Sequence, residues 1–267
     1  SGSFKGYIYE LRLVVGTAVY TAEFTPPTEK LTAVTNTKLL IQNNPYIKDN
    51  SSAGHAITNY GQCIHHRIIP YKHDPYSAST HGISAHFDGT GDELTVPDHD
   101  GSFNFAAGSF TIEGWIYPTV INNYDTICSQ EGTWAIELMH VTGDGSDGVL
   151  KAWLSTGTGG SWDILSAVAI TNTVYANQWT HFALVRNGNS IKGYQNGVEV
   201  LSTTKTETIG NSSHVLKIGN YGSNNNYQGW ISDLRIVKGT AVYTSNFTLP
   251  TEKLTAITNT GFLLGST

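Results

Sequence analysis

Through the second half of the chain, apolar and polar residues take turns. Phe110 to Pro118 reads FTIEGWIYP, with Phe110, Ile112 and Ile116 on one side, Thr111 and Glu113 on the other, and a proline to stop it. A period of two predicts half-buried strands. TWAIELMHV (from Thr133) and VLKAWLST (from Val149) alternate on either side of the Gly/Asp turn TGDGSDG and read as a hairpin. QWTHFALVR, SIKGYQ and VEVLS are separated by Asn187-Gly188 and Asn196-Gly197. Each Asn-Gly is expected at the centre of a type I′ turn, where both residues need positive φ, so residues 178–201 are predicted as consecutive antiparallel strands. VLKIGN and GWISDLRIV supply the last long strands, and only a single turn around Ala241 to Ser245 competes as helix. The pattern predicts an all-β antiparallel sandwich.

The second pattern is a repeat. GTAVYTAEFTPPTEKLTAVTNTKLL begins at Gly16 and GTAVYTSNFTLPTEKLTAITNTGFLL at Gly239; the match runs without gaps from Gly6–Leu40 onto Gly229–Leu263, an offset of 223. A fixed period marks a tandem array. It divides the chain into residues 1–35, the C-terminal part of one repeat, 36–258, a complete unit, and 259–267, the start of another. The other arrangement is a single domain with two paralogous end hairpins. In an array, GYIYELRLVV is a closing strand separated from its own sheet. It is expected to pair with a neighbouring subunit or with the edge of this chain's own sandwich, and TGFLLGST at the other end is the candidate complementary strand.

Composition supports the class and removes some functions. Only 13% of residues are charged, while glycines number 28 and aromatics make up 11%, the profile of a turn-rich β protein. The formal net charge is −6 with no run of Lys or Arg, which excludes a phosphate-binding patch for nucleic acid. No apolar window approaches the roughly 20 residues of a membrane-spanning helix, and the first residues lack the order of a signal peptide. Cys63 and Cys128 are expected as free thiols, Cys128 as a buried strand residue in YDTICSQ.

AHFDGTGDELTVPD, FTIEGWIYP, QWTHFALVRNG, IKGYQNGVEV, KIGN and GWISDLRIVKGTAVYTSNFTLPTE, in this order, resemble the laminin G-like, concanavalin A-like jelly-roll domains, in the form repeated in tandem in large virion and tail-fibre proteins of marine phages. The resemblance implies two curved antiparallel sheets packed face to face. It also implies glycan binding in many members, a structural Ca²⁺ in some, and a place on a bacteriophage virion surface or outside the cell.

A glycoside hydrolase of this fold would need two carboxylates flanking one bond, about 5 Å apart for retention, and its retaining members carry Glu-x-Asp-x-x-Glu. That spacing is absent: Glu113, Glu131, Glu137 and Glu199 stand alone, and there is no Asp box. A non-enzymatic protein is expected. His65, His66, His73 and Asp74 lie close together but fit no metal spacing and read as surface groups. For Ca²⁺, Asp88 and Asp92 in DGTGD offer carboxylates and carbonyls, and Asp233 approaches them if the first and last strands pair. Many relatives have two consecutive acids where this chain has Ser232-Asp233. The second reading is that Asp88 and Asp92 bond turn amides.

Glycan recognition needs exposed rings beside hydroxyl-reading amides. Trp115 and Trp179 fall within alternating strands and read as core. Tyr124, Trp134 and Trp162 fall near turns, and GNYGSNNNYQG sets Tyr221, Asn224, Asn225, Asn226 and Tyr227 together; these are the candidate glycan-binding residues. The alternative for Trp134 and Trp162 is cover for a sheet edge or for a neighbouring repeat. The expected function is lectin-like adhesion to cell-surface or environmental glycans, with repetition adding avidity. The rival is a structural fibre assembled through repeat–repeat or donor-strand contacts between identical subunits.

Overall fold

A computed structural model of the chain describes residues 8–27, 30–42, 47–57, 84–221 and 225–265, all of them strand, turn or loop. It divides into two compact units, Ser1–Pro75 and Tyr76–Thr267. In the first, β1 (Leu11–Val14) pairs antiparallel with β2 (Thr37–Ile41), Leu11 opposite Ile41 and Arg12 opposite Leu40. Asn36 turns the chain into β2 with φ 67°, and its carbonyl accepts the Val15 amide. Asp49 bridges to Ile41, and its carboxylate accepts the amides of Leu40, Ser51 and His55. Burial pushes this carboxyl up, but those bonds outweigh it and hold it well below the usual carboxylate range.

The second unit is a sandwich of two seven-stranded antiparallel sheets. Its strands are β3 (Ser84–Asp88), β4 (Leu94–Val96), β5 (Phe110–Pro118), β6 (Asp125–Gln130), β7 (Trp134–His140), β8 (Asp147–Leu154), β9 (Leu165–Ala169) and β10 (Val174–Tyr175). They continue as β11 (Thr180–Asn187), β12 (Ser190–Gln195), β13 (Val198–Thr204), β14 (Leu216–Ile218), β15 (Gln228–Lys238) and β16 (Thr260–Leu264). The front sheet runs β10-β8-β7-β6-β14-β4, with β9 also on β8. The back sheet runs β13-β12-β11-β5-β15-β16, with β3 also on β15. Between them Ile112, Ile116, Phe182, Leu184, Ile231, Leu234 and Ile236 from the back meet Ile136, Leu138, Leu150, Ala152, Leu154, Leu216 and Ile218 from the front. Each buried Ile, Leu or Phe among them contributes about 1.5–3 kcal/mol over its exposed state.

The predicted strands from β11 to β13 form, with one shift. At the second turn Asn196 (φ 50°) and Gly197 (φ 80°) occupy both central positions, the type I′ geometry expected. At the first, Asn187 is still paired with Ser190, so the centre is Gly188-Asn189 and only Gly188 takes positive φ. That is the glycine-first turn of type II′. Arg186 secures it by donating from Nε to the Gly188 carbonyl at 2.8 Å.

After β15 the chain does not make the helical turn considered at Ala241 to Ser245. It crosses the outer face of the back sheet as a strap. Thr111 of β5 donates to the Thr240 carbonyl and accepts the Val242 amide, Asn246 accepts the Glu199 amide, and the Gly197 carbonyl accepts the Phe247 amide. Beneath the strap lies the fully buried Glu113. Its Oε1 accepts Arg235 Nε at 2.9 Å and Nη2 at 2.5 Å, its Oε2 accepts the Tyr243 hydroxyl at 2.6 Å, and His181 Nε2 stands 3.5 Å away. Burial raises this carboxyl; His181, Arg235 and Tyr243 more than offset it and bring it below its ordinary value.

The strand pairs β1–β2 and β15–β16 lie across the sequence-expected cuts at 35/36 and 258/259. Among the described residues no helix is long and apolar enough to cross a membrane.

Candidate functional site

With the back sheet strapped, the outer face of the front sheet is where side chains of mixed character collect. Alternation sends Leu150, Ala152 and Leu154 of β8 inward, so Lys151 and Trp153 point outward. Register sets them in rows: Trp153 opposite Ala135, Ala135 opposite Ser129, Ser129 opposite Lys217; then Lys151 opposite Glu137 and Glu137 opposite Thr126.

Aromatic side chains from three loops rise around this floor. Tyr124 precedes β6, Trp162 lies between β8 and β9, and Tyr221 follows β14. With Trp153 they form a chain of rings whose centroids are 6.4 Å apart from Tyr124 to Trp153, 5.7 Å from Trp153 to Trp162 and 6.4 Å from Trp162 to Tyr221. Tyr124 and Trp162 hold left-handed backbone, φ 67° and 50°, which is strained for bulky residues and concentrates at functional sites. Gly160 makes room for the Trp162 ring, which a Cβ there would approach to 3.3 Å. The Tyr221 hydroxyl accepts the Gly132 amide at 3.2 Å, which fixes that ring.

Glu137 is 5% exposed, and burial pushes its carboxyl up to about 7. Thr126 Oγ1 donates to it at 3.4 Å, and Trp153 and Asn225 stand beside it. Trp153 Nε1 nevertheless makes no hydrogen bond of normal geometry, nor does the buried Ser129 Oγ. The floor therefore holds polar groups with capacity to spare beneath rings that can stack. Asp125 is also raised, to about 6 by burial, but it is opposite the core-facing Leu138, whereas Glu137 is opposite Thr126. The two acids point to opposite faces of one sheet and cannot flank a common bond.

Of the sequence-predicted glycan residues, the structure brings together Tyr124, Trp162, Tyr221 and Asn225. Trp134 and Tyr227 are corrections. Trp134 is 1% exposed in the core, donating from Nε1 to the Phe103 carbonyl at 3.0 Å, because β7 turns it to the same side as Ile136. Tyr227 is buried against Phe87, and its hydroxyl reaches the Trp230 carbonyl at 3.2 Å. Asn226 is tied back to Asn220 at 2.7 Å. Trp153, Glu137 and Ser129 were not singled out from the sequence, although the alternation of VLKAWLST already set Trp153 opposite its apolar neighbours. Trp115 belongs to the outer face of the back sheet, edge-on to His181, and Trp179 is half-buried against Tyr117.

The calcium set does not assemble. Strand β3 does pair with β15, but Asp88 is opposite Gln228, and Asp233 lies five positions further on, roughly 17 Å at strand spacing. Asp233 instead accepts the Leu254 amide of the strap at 3.0 Å. Asp88 accepts both the amide and the hydroxyl of Thr90 at 2.7 Å, and Asp92 accepts the Asp88 amide, as turn residues do. No group of three metal-ligating side chains occurs among the described residues. Cys128 is a buried free thiol whose pKa burial pushes up. Cys63, His65, His66, His73, Asp74 and Asn224 lie outside the described residues.

Several solved structures share part of the fold. Domain 4 of an extracellular arabinanase from Geobacillus stearothermophilus, solved with arabinotriose, is 21% identical over 60% of this chain and 72% of that one, with a TM-score of 0.46. A putative carbohydrate binding protein from Bacteroides ovatus is 17% identical over 60% and 44%, with a TM-score of 0.43. The sialidase carbohydrate-binding module of Ruminococcus gnavus, solved with sialyllactose, is 12% identical over 61% and 91%, with a TM-score of 0.40. A search of curated proteins gives no significant match. The family model that does match spans residues 88–242, more than half of the 267, from the last residue of β3 to the strap, and by it the chain belongs to the Concanavalin A-like lectin/glucanases superfamily.

Proposed function

We propose that the chain is a non-catalytic glycan-binding module, and that the ligand lies on the outer face of the front sheet. The observation that carries this is the arc of four rings, Tyr124, Trp153, Trp162 and Tyr221, over a floor with unspent polar groups at Ser129 and Trp153 beside Glu137. Ring faces match the apolar faces of pyranoses, and the buried polar groups can meet hydroxyls. Carbohydrate ligands in the arabinanase domain and the sialidase module accord with this reading. The separation of Asp125 from Glu137 favours binding over hydrolysis. The setting we propose, on the sequence motifs, is a tandem array of period 223 on a virion surface or tail fibre, where weak sites gain by avidity.

The test is a glycan array probed with the full chain, followed by titration of any hit against wild type and Trp162→Ala. Binding that weakens about tenfold in the variant supports the site. An array without hits, or a hit indifferent to Trp162, rejects it.

A further inference from the structure

The apolar face that β15 buries in the second unit recurs, uncovered, in the first. Ile8, Leu11 and Leu13 are 67%, 44% and 52% exposed; Ile231, Leu234 and Ile236, their counterparts 223 positions later, are 0% exposed. The strand pairs agree residue for residue. Leu11 faces Ile41 as Leu234 faces Leu264, Arg12 faces Leu40 as Arg235 faces Leu263, and both pairs shift register just before Val14 and Val237. Their side-chain bonds agree as well. Arg12 Nη1 donates to the Thr32 carbonyl and Arg235 Nη1 to that of Thr255, both at 2.8 Å. Glu10 accepts the Leu31 amide as Asp233 accepts that of Leu254. Tyr20 stacks on Phe24 at 3.7 Å, and Tyr243 on Phe247 at 3.6 Å.

One partner differs. Arg235 and Tyr243 close on Glu113 of β5. Arg12 Nη2 instead meets the Tyr20 hydroxyl at 3.4 Å, in an exposed setting, and no carboxylate bonds Arg12 among the described residues.

We propose that the β1–β2 ribbon is a closing element for a second β-sandwich, one of this superfamily that lacks its own closing ribbon. Its partner strand would resemble Phe110–Pro118 and seat a glutamate between Arg12 and Tyr20. Backbone pairing along β1 supplies attachment, Ile8, Leu11 and Leu13 complete the partner's core, and the glutamate sets register, because a buried carboxylate without its arginine is strongly disfavoured. An intact second copy does not fit this role: its β5 is already paired on both edges, by β11 and by β15. The inference stands apart from the glycan reading and uses none of its residues.

The experiment titrates the full chain with a synthetic peptide of residues 109–119, SFTIEGWIYPT, and with a peptide carrying E113Q. Fluorescence polarisation gives affinity, and hydrogen exchange locates the contact. Slowed exchange confined to Ile8–Val15, with affinity about tenfold weaker for the E113Q peptide and for an Arg12→Ala chain, supports the proposal. Tyr20→Phe, which removes only a hydroxyl, should weaken binding several-fold and guards against misfolding of the arginine variant. Absence of protection, or protection indifferent to Glu113 and Arg12, overturns the proposal. Protection that appears without peptide as chain concentration rises, with a dimer in sedimentation, also overturns it and assigns the face to a second copy.

Discussion

Trp162 meets Trp153 nearly edge to face, centroids 5.7 Å apart and planes at 61°, and this pair joins a loop to the floor of the front sheet. The loop tryptophan can be removed without opening the core, while the strand tryptophan is part of the sheet surface. Trp162→Ala should therefore lower glycan affinity about tenfold and leave the melting temperature within about 2 °C, whereas Trp153→Ala should lower both. Calorimetric titration and thermal melts on the same preparations check this.

Glu137 predicts a pH dependence of stability. Its folded pKa, about 7, lies above an unfolded value of 4.5, so between these pH values the folded state binds more protons than the unfolded state. Stability must then fall as pH rises through that window and level off above it, by at most about 3 kcal/mol from this group. Asp125, raised to about 6, adds to the same slope. Glu137→Gln should flatten the profile and make the protein more stable at pH 8; urea denaturation from pH 4.5 to 8 measures it.

Glu113 and Arg235 predict strong non-additivity. Replacing Arg235 by Ala leaves a buried carboxylate without its cation and should cost about 3–5 kcal/mol, while Arg235→Met with Glu113→Leu should cost much less than the sum of the single changes. Because the folded carboxyl lies below its ordinary value, its stabilisation is present above the unfolded pKa and is lost as pH falls through the folded one. A double-mutant cycle in urea at pH 7 and pH 4 tests both statements.

Asp233 separates a strap anchor from a calcium ligand. Asparagine keeps an oxygen for the Leu254 amide and tolerates the φ of 50°, so Asp233→Asn should be within about 0.5 kcal/mol of wild type. Asp233→Ala should cost about 1–3 kcal/mol. Neither melting curve should respond to EDTA; a chelator-dependent drop in wild type alone would restore the metal.

The architecture was legible because strands declare themselves by alternation and turns by glycine. Phe110–Pro118 and the Asn196-Gly197 turn follow from residue order alone. The turn at Gly188 is centred one residue later than Asn-Gly alone predicts, since Asn187 still pairs with Ser190, and Arg186 Nε bonds the Gly188 carbonyl there, a contact that local turn preferences do not carry. The site was half legible. Nearness to a turn selected Tyr124 and Trp162, which the structure sets in one row of rings, but also chose Trp134, since a tryptophan at the first position of a strand can face either way until register is set. Trp153 lies within β8 rather than at a turn, so only the alternation of that strand, which has an outward side as well as an inward one, points to it. Glu137 gains its character from burial on the assembled sheet, and one of the groups bonded to it, Asn225, comes some ninety residues later, which no local window contains.

The placement of β15 has a consequence for how the molecule is made. This strand, completed only at Lys238, pairs with β3, β5 and β16, so one edge of β5 stays open until residues 228–238 have been made. A nascent chain emerging from the ribosome must carry that edge of β5 unpaired while residues 119 to 227 are made, at a stage when non-local pairing is slow and exposed edges invite aggregation. Slower translation before residue 228 should lower the yield of native protein, and slower translation after it should not.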